Sequence, residues 1–144
     1  MRPRAVEVEV VRPLRGEVLR AGRPPEASVL PADEDPRSHH LAVEVDGRVV
    51  SVGSVLPLPP PWAPERTDAW RIRGMATRDG QRGRGHGGQI LLGLLEAVTA
   101  AGGHLVWCEA RVGAVRFYER AGFATVGERF VAEGVEHIAM WREI

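Results

Sequence analysis

The chain has 144 residues, about 44% of them hydrophobic, which is the length and apolar content of one globular domain with its own core. Its 19 basic residues balance 19 acidic ones, which argues against a nucleic-acid binder or a polybasic membrane binder, since both need a cationic surplus. Every basic residue is Arg; there is no Lys and no Asn, so a Lys nucleophile, a Schiff base and a phosphate-clamping Lys are excluded.

The one Cys, Cys108, cannot close an internal disulfide, which makes a reducing compartment the default. Charges interrupt the apolar residues of the first ten positions, unlike a signal peptide. The longest apolar run, Ile90 to Leu95 with Gly93 inside it, is too short to cross a bilayer. The expectation is a soluble, cytoplasmic protein in which residues 1–144 form one domain.

Val6, Val8 and Val10 alternate with Glu7 and Glu9, a period of two that predicts a strand with one wet face. Residues 13–39 carry five prolines and little helical periodicity. They read as loop, with one turn of helix near Glu17–Arg20. Leu41–Val45 and Val49–Val55 flank Asp46-Gly47, a hairpin signal. Five further prolines around Trp62 make a stiff loop and require the strand to end by about Leu56. Trp70–Thr77 predicts another strand.

A segment rich in glycine follows, Gln81 to Gly88. Ile90, Leu91, Leu94, Leu95 and Val98 then recur at helical spacing until Gly102 and Gly103. His104–Glu109 predicts a strand. Ala114, Phe117, Tyr118 and Ala121 share a helical face that Gly122 ends, and strands at Phe123–Val131 and Val135–Trp141 flank Glu133-Gly134. The predicted order is βββ β-α-β-α-ββ, a mixed α/β domain without repeats.

Gly83, Gly85, Gly87 and Gly88 lie between a strand and an apolar helix. There they free backbone amides to point at an anion and add the positive end of the helix dipole. Arg82 and Arg84 contribute guanidinium donors suited to phosphate. The competing reading is a flexible turn with two solvated arginines. Gly83 to Gly88 also matches G-x-G-x-x-G, with Glu109 about twenty residues on, as in a dinucleotide-binding fingerprint. Five residues separate Thr77 from Gly83, however, and only 35 follow Glu109, too few to complete a doubly wound sheet.

Arg82-x-x-Gly85-x-Gly87 resembles the R/Q-x-x-G-x-G/A pyrophosphate loop of the GCN5-related N-acetyltransferase (GNAT) family. Ala114-Val115-Arg116-Phe117-Tyr118-Glu119-Arg120-Ala121-Gly122-Phe123 is similar to that family's A-x-x-F-Y-E-x-x-G-F stretch. Arg71 to Thr77 looks like its central strand, with a further strand between the two motifs as the family requires. The resemblance is close over residues 68–131. It implies an α/β (α+β mixed) single domain with a central mixed, mostly antiparallel sheet and a splayed β-α-β-α core.

The resemblance also implies transfer of an acetyl group from acetyl-coenzyme A to a primary amine of a small molecule or peptide, without nucleic acid or membrane. Met75, Ala76 and Thr77 would bond the pantetheine arm through their backbone beside a bulge, with a backbone N–H near Met75 facing the oxyanion. Arg82, Gly83, Arg84, Gly85, His86, Gly87 and Gly88 would hold the pyrophosphate. Tyr118, the only Tyr, would protonate the leaving thiolate; otherwise it is an ordinary helix aromatic. Arg111 stands where many members carry Asn. It is open to a coenzyme phosphate or to solvent.

Glu109 is one candidate base, or else a solvated strand end. His137 is the other, in a stretch resembling the G-I-P-H-x-x-M of some subfamilies with Val135 and Glu136 at the Ile and Pro positions; a structural role is its alternative. No Cys/His cluster has metal-ligand spacing, so no metal is expected. Rival functions are an acyl-coenzyme A sensor of the same fold without turnover and a dinucleotide-binding oxidoreductase. Dimerisation is compatible with a domain this small but not indicated.

Overall fold

A computed structural model describes residues 2–144. Its elements in order are β1 (Arg4–Ala5), α1 (Val8–Leu19), a 3-10 turn (Pro25–Ser28), β2 (His39–Val45), β3 (Arg48–Pro57), β4 (Ala69–Thr77), α2 (His86–Ala100), β5 (Leu105–Arg111), α3 (Val115–Arg120), β6 (Ala124–Ala132) and β7 (Val135–Glu143). The strands form one mixed sheet in the order β1-β2-β3-β4-β5-β7-β6. β4 and β5 pair in parallel; β1–β2, β2–β3, β5–β7 and β6–β7 are antiparallel. Among the described residues no helix is long and apolar enough to cross a membrane.

The chain divides into two compact units, residues 1–56 with 72–97, and residues 57–71 with 98–144. In the first, Val8, Val11 and Leu14 of α1 are buried with Ala42 of β2, Val52 of β3 and Ala76 of β4. The Val and Leu side chains each contribute roughly 1.5–3 kcal/mol by leaving water, and the two alanines less. The other sheet face carries α2. A Cβ on Gly53 would collide with Met75, and would stand 2.6 Å from Ile90; one on Gly93 would stand 2.7 Å from Leu41. Leu41 pairs with Gly53, and Ala42 with Val52, so each pair presents one face. Asp46 (φ 52°) and Gly47 (φ 77°) close the predicted hairpin, both left-handed as a type I′ turn needs.

The N-terminal expectation is overturned. The predicted strand over Val6–Val10 is the start of α1, and only Arg4–Ala5 pair as a strand. Three alternating valines mimic period two. The longer stripe of Val8, Val11, Leu14 and Arg15, all buried, follows the helix period and decides the conformation. The predicted loop from residue 13 is likewise helix to Leu19, with Pro13 inside it. That proline leaves the Glu9 carbonyl without its helical donor.

α2 and α3 end in the same way, both at residues of the second unit. Gly103 N–H bonds Val98 C=O and Gly102 N–H bonds Thr99 C=O; Phe123 N–H bonds Tyr118 C=O and Gly122 N–H bonds Glu119 C=O. Gly102 (φ 82°) and Gly122 (φ 88°) take the left-handed position of this C-terminal motif. β6 is irregular between Val126 and Phe130, where Gly127 has φ 75°. The extra residues bend an edge strand and make it a poor template for pairing with another chain.

Candidate active site

In the first unit, β4 leaves the alternation of a plain strand. Arg73 reaches Asp33 and the Pro31 carbonyl, and the Cα of Gly74 faces Arg15. Met75 then lies against Gly53, on the α2 face, and Ala76 returns to the α1 core. Two successive residues thus face α1, with Gly74 at φ 66°, which amounts to a bulge. Thr77 ends the strand with its hydroxyl 2.9 Å from that of Ser51.

Past Thr77 the chain is pinned by Arg78. Its N–H bonds Val50 C=O at 2.8 Å and its guanidinium bonds Val49 C=O and Glu17. Gly80, Gly83 and Gly85 all have φ between 76° and 84°, with open space where a Cβ would stand. Glycine is required there by backbone conformation and not by crowding. α2 begins at His86 and its helical ladder is joined by Gln89 N–H to Gly85 C=O at 3.1 Å. The amides of His86, Gly87 and Gly88 therefore precede the ladder and have no acceptor within the helix. Arg84 is exposed, while Arg82 sits 3.3 Å from Asp79, an exposed pair of little energetic weight.

In the second unit, registered pairs place Trp107 opposite Trp141, Glu109 opposite Ala139, and Arg111 opposite His137. These residues share one face of the β5–β7 ribbon. Arg71 lies 5.0 Å over the Trp107 ring and bonds Glu109 at 2.7 Å. Trp62, 42% exposed, meets Trp107 edge to face at 5.7 Å. The His137 ring stacks on Phe130 at 5.6 Å and its Nδ1 is 2.8 Å from the Val135 carbonyl. A carbonyl only accepts, so Nδ1 donates in this contact, and Nε2 is the ring nitrogen left outside it.

Tyr118 belongs to the opposite face. It is 6% exposed, between Phe117 at 5.0 Å and Phe123 at 5.6 Å. Burial, then the nearby Cys108, pushes the phenol well above its ordinary pKa, so it stays protonated. Burial also pushes the Cys108 thiol up to about 12, against a smaller opposing pull from Arg71.

A family profile described as "Acetyltransferase (GNAT) domain" matches residues 26–144. The chain belongs to this acetyltransferase family. A GNAT relative from Bacillus subtilis, named as the uncharacterized N-acetyltransferase YitI, is 30% identical over 142 residues, spanning 98% of this chain and 95% of the relative. Among solved GNAT structures, an aminoglycoside 6′-N-acetyltransferase complexed with coenzyme A superposes with a TM-score of 0.77 at 12% identity, covering 99% of this chain and 97% of the other. A ribosomal-protein-alanine N-acetyltransferase from Brucella melitensis gives 0.74 at 16% identity over 100% of both chains. These two likenesses show the fold.

Within this GNAT domain, Met75–Thr77 and Arg82–Gly88 lie in the first unit. Glu109, Arg111 and His137 come together on one face of the second, and Tyr118 is separated from them on the other. Among the described residues no group of three or more metal-ligating side chains forms. Sequence reasoning missed Arg71, the partner that occupies Glu109. It also missed Arg15, whose charge on a buried apolar stripe was the available signal.

Proposed function

We propose that this GNAT protein transfers an acetyl group from acetyl-coenzyme A to a primary amine. The observation that carries the reading is the turn before α2. Left-handed glycines, the free first amides of a helix and two arginines form a cradle for a diphosphate, the polar element of coenzyme A. The fit is chemical as well as geometric, because with no Lys in the chain the donor set is planar guanidinium and backbone N–H. A thioester supplies an already activated acyl group, so the protein's tasks are positioning and proton transfer.

Arg82–Gly88 hold the pyrophosphate, Arg111 a further phosphate, and the backbone of Met75–Thr77 the pantetheine arm. The N–H near Met75 faces the thioester oxygen. His137 accepts the ammonium proton at Nε2, and the amine nitrogen then bonds the carbonyl carbon. Glu109 is the weaker base candidate because its carboxylate already accepts a bond from Arg71. As the carbon–sulfur bond breaks, Tyr118 gives its proton to the sulfur, and the second proton lost by the nitrogen returns through water to the tyrosinate, restoring the phenol.

Burial holds the Tyr118 phenol protonated, the form a general acid needs before it gives up its proton. Titration calorimetry with acetyl-coenzyme A and NAD, followed by thiol release over a panel of primary amines, tests the reading. Preference for NAD refutes it. Tight acetyl-coenzyme A binding with no thiol release for any amine makes the protein a sensor.

A further inference from the structure

A closed ring of buried polar side chains in the first unit has no part in the roles above. Arg15, 0% exposed, donates from Nη1 to Asp33 Oδ2 at 2.7 Å and to the Ser28 carbonyl at 2.9 Å, and from Nη2 to Ser54 Oγ at 3.2 Å. Ser54 Oγ is 2.6 Å from His40 Nδ1, and His40 Nε2 is 3.1 Å from the Asp33 carbonyl. The carbonyl only accepts, so Nε2 carries the proton of a neutral His40, Ser54 donates to Nδ1, and the Ser54 oxygen accepts from Arg15. Four residues from α1, β2, β3 and the loop before β2 thus bond in a circle.

Such a ring is poor value as mere stabilisation. Ordering and desolvating buried ions offsets most of their attraction, and apolar packing of the same volume is commonly as stable. What the ring touches suggests another use. The Arg15 guanidinium lies against the Cα of Gly74, with Nε 2.7 Å and Cζ 3.3 Å from where a Cβ would stand. That Nε is buried and has no acceptor among the described residues. The other bulge residue, Arg73, bonds the ring's carboxylate at 3.3 Å and the Pro31 carbonyl. Both residues that break the alternation of β4 are therefore held by one buried device.

We propose that Arg15 and Asp33 are positioning residues that hold the β4 bulge at Arg73–Gly74 and so fix the direction of the Met75 backbone amide. The catalytic part rests on the acetyltransferase reading, in which that amide faces the thioester oxygen. Neither residue touches substrate. The device acts through peptide geometry, where a displacement of an ångström is costly to turnover.

The test compares Ser54→Ala and Asp33→Asn with Ile90→Val, a core change in α2 outside the ring. Amide hydrogen exchange at Gly74 and Met75 is read at matched global stability. The ring variants are expected to speed exchange there about tenfold more than Ile90→Val, and to lower kcat about tenfold with KM for acetyl-coenzyme A within about twofold. If Asp33→Asn does not fold, Ser54→Ala carries both measurements. Exchange that follows Ile90→Val overturns the clamp, and faster exchange with unchanged kcat overturns its positioning role. If the wild type releases no thiol with any amine, the acetyltransferase reading fails, and the exchange result still decides the clamp.

Discussion

Tyr118→Phe separates packing from chemistry, because the structure gives the ring and the hydroxyl different work. The ring is wedged between Phe117 and Phe123 at 5.0 and 5.6 Å, and phenylalanine keeps both contacts. The hydroxyl makes no hydrogen bond to the protein among the described residues. Its removal orphans no partner, so the stability change is expected within about 1 kcal/mol. A general acid contributes about 10²–10⁴ in rate, roughly 3–5 kcal/mol of barrier. The expected variant melts like the wild type, binds acetyl-coenzyme A with unchanged affinity, and turns over at least about a hundredfold more slowly. Thiol release with a responsive amine measures kcat, and thermal denaturation measures stability. A kcat within about twofold of wild type would make Tyr118 a packing residue and refute the argument from its protonated, buried phenol.

Two further outcomes follow from the first unit. His40 is depressed below its ordinary pKa, chiefly by burial, and Asp33 is lowered because Arg15, the Leu30 N–H and Arg73 together outweigh its burial. In both cases the unfolded state binds the proton more readily, so stability falls as pH falls, below about 6.5 for His40 and below about 3.8 for Asp33; denaturation midpoints that stay level from pH 7.5 to 5 would contradict the neutral His40. Arg84→Gln is expected to leave stability within about 0.5 kcal/mol, since the residue is exposed, yet to weaken acetyl-coenzyme A binding about tenfold or more by removing a charged donor. Calorimetry showing unchanged affinity would move the phosphate elsewhere.

Where turn chemistry or a long apolar period decided the structure, the sequence was readable. Asp46-Gly47 and Glu133-Gly134 close hairpins in left-handed conformations, and Gly102 and Gly122 end helices. The α2 stripe from Ile90 to Val98 was unambiguous for the same reason. α1 was not, because over five residues Val6, Val8 and Val10 satisfy a strand, and only the burial of Leu14 and Arg15 settles the period. The candidate site was readable as motifs but not as geometry. That Glu109 and His137 share a face depends on the register of β5 with β7, and that Glu109 is engaged depends on Arg71, 38 positions away. A bulge beside Met75 was expected from the resemblance, but nothing near Gly74 in the sequence pointed to Arg15, the guanidinium from another element that lies against it.

Cys108 gives the folded chain a built-in clock. Its thiol is buried and pushed up to about 12, so at neutral pH almost none of it is thiolate, the form that attacks a thioester or an alkylating reagent. Since it is the one Cys in the chain, its labelling by a small electrophile under native conditions proceeds only when β5 opens. The rate of that single modification reads out how often the strand separates from its neighbours.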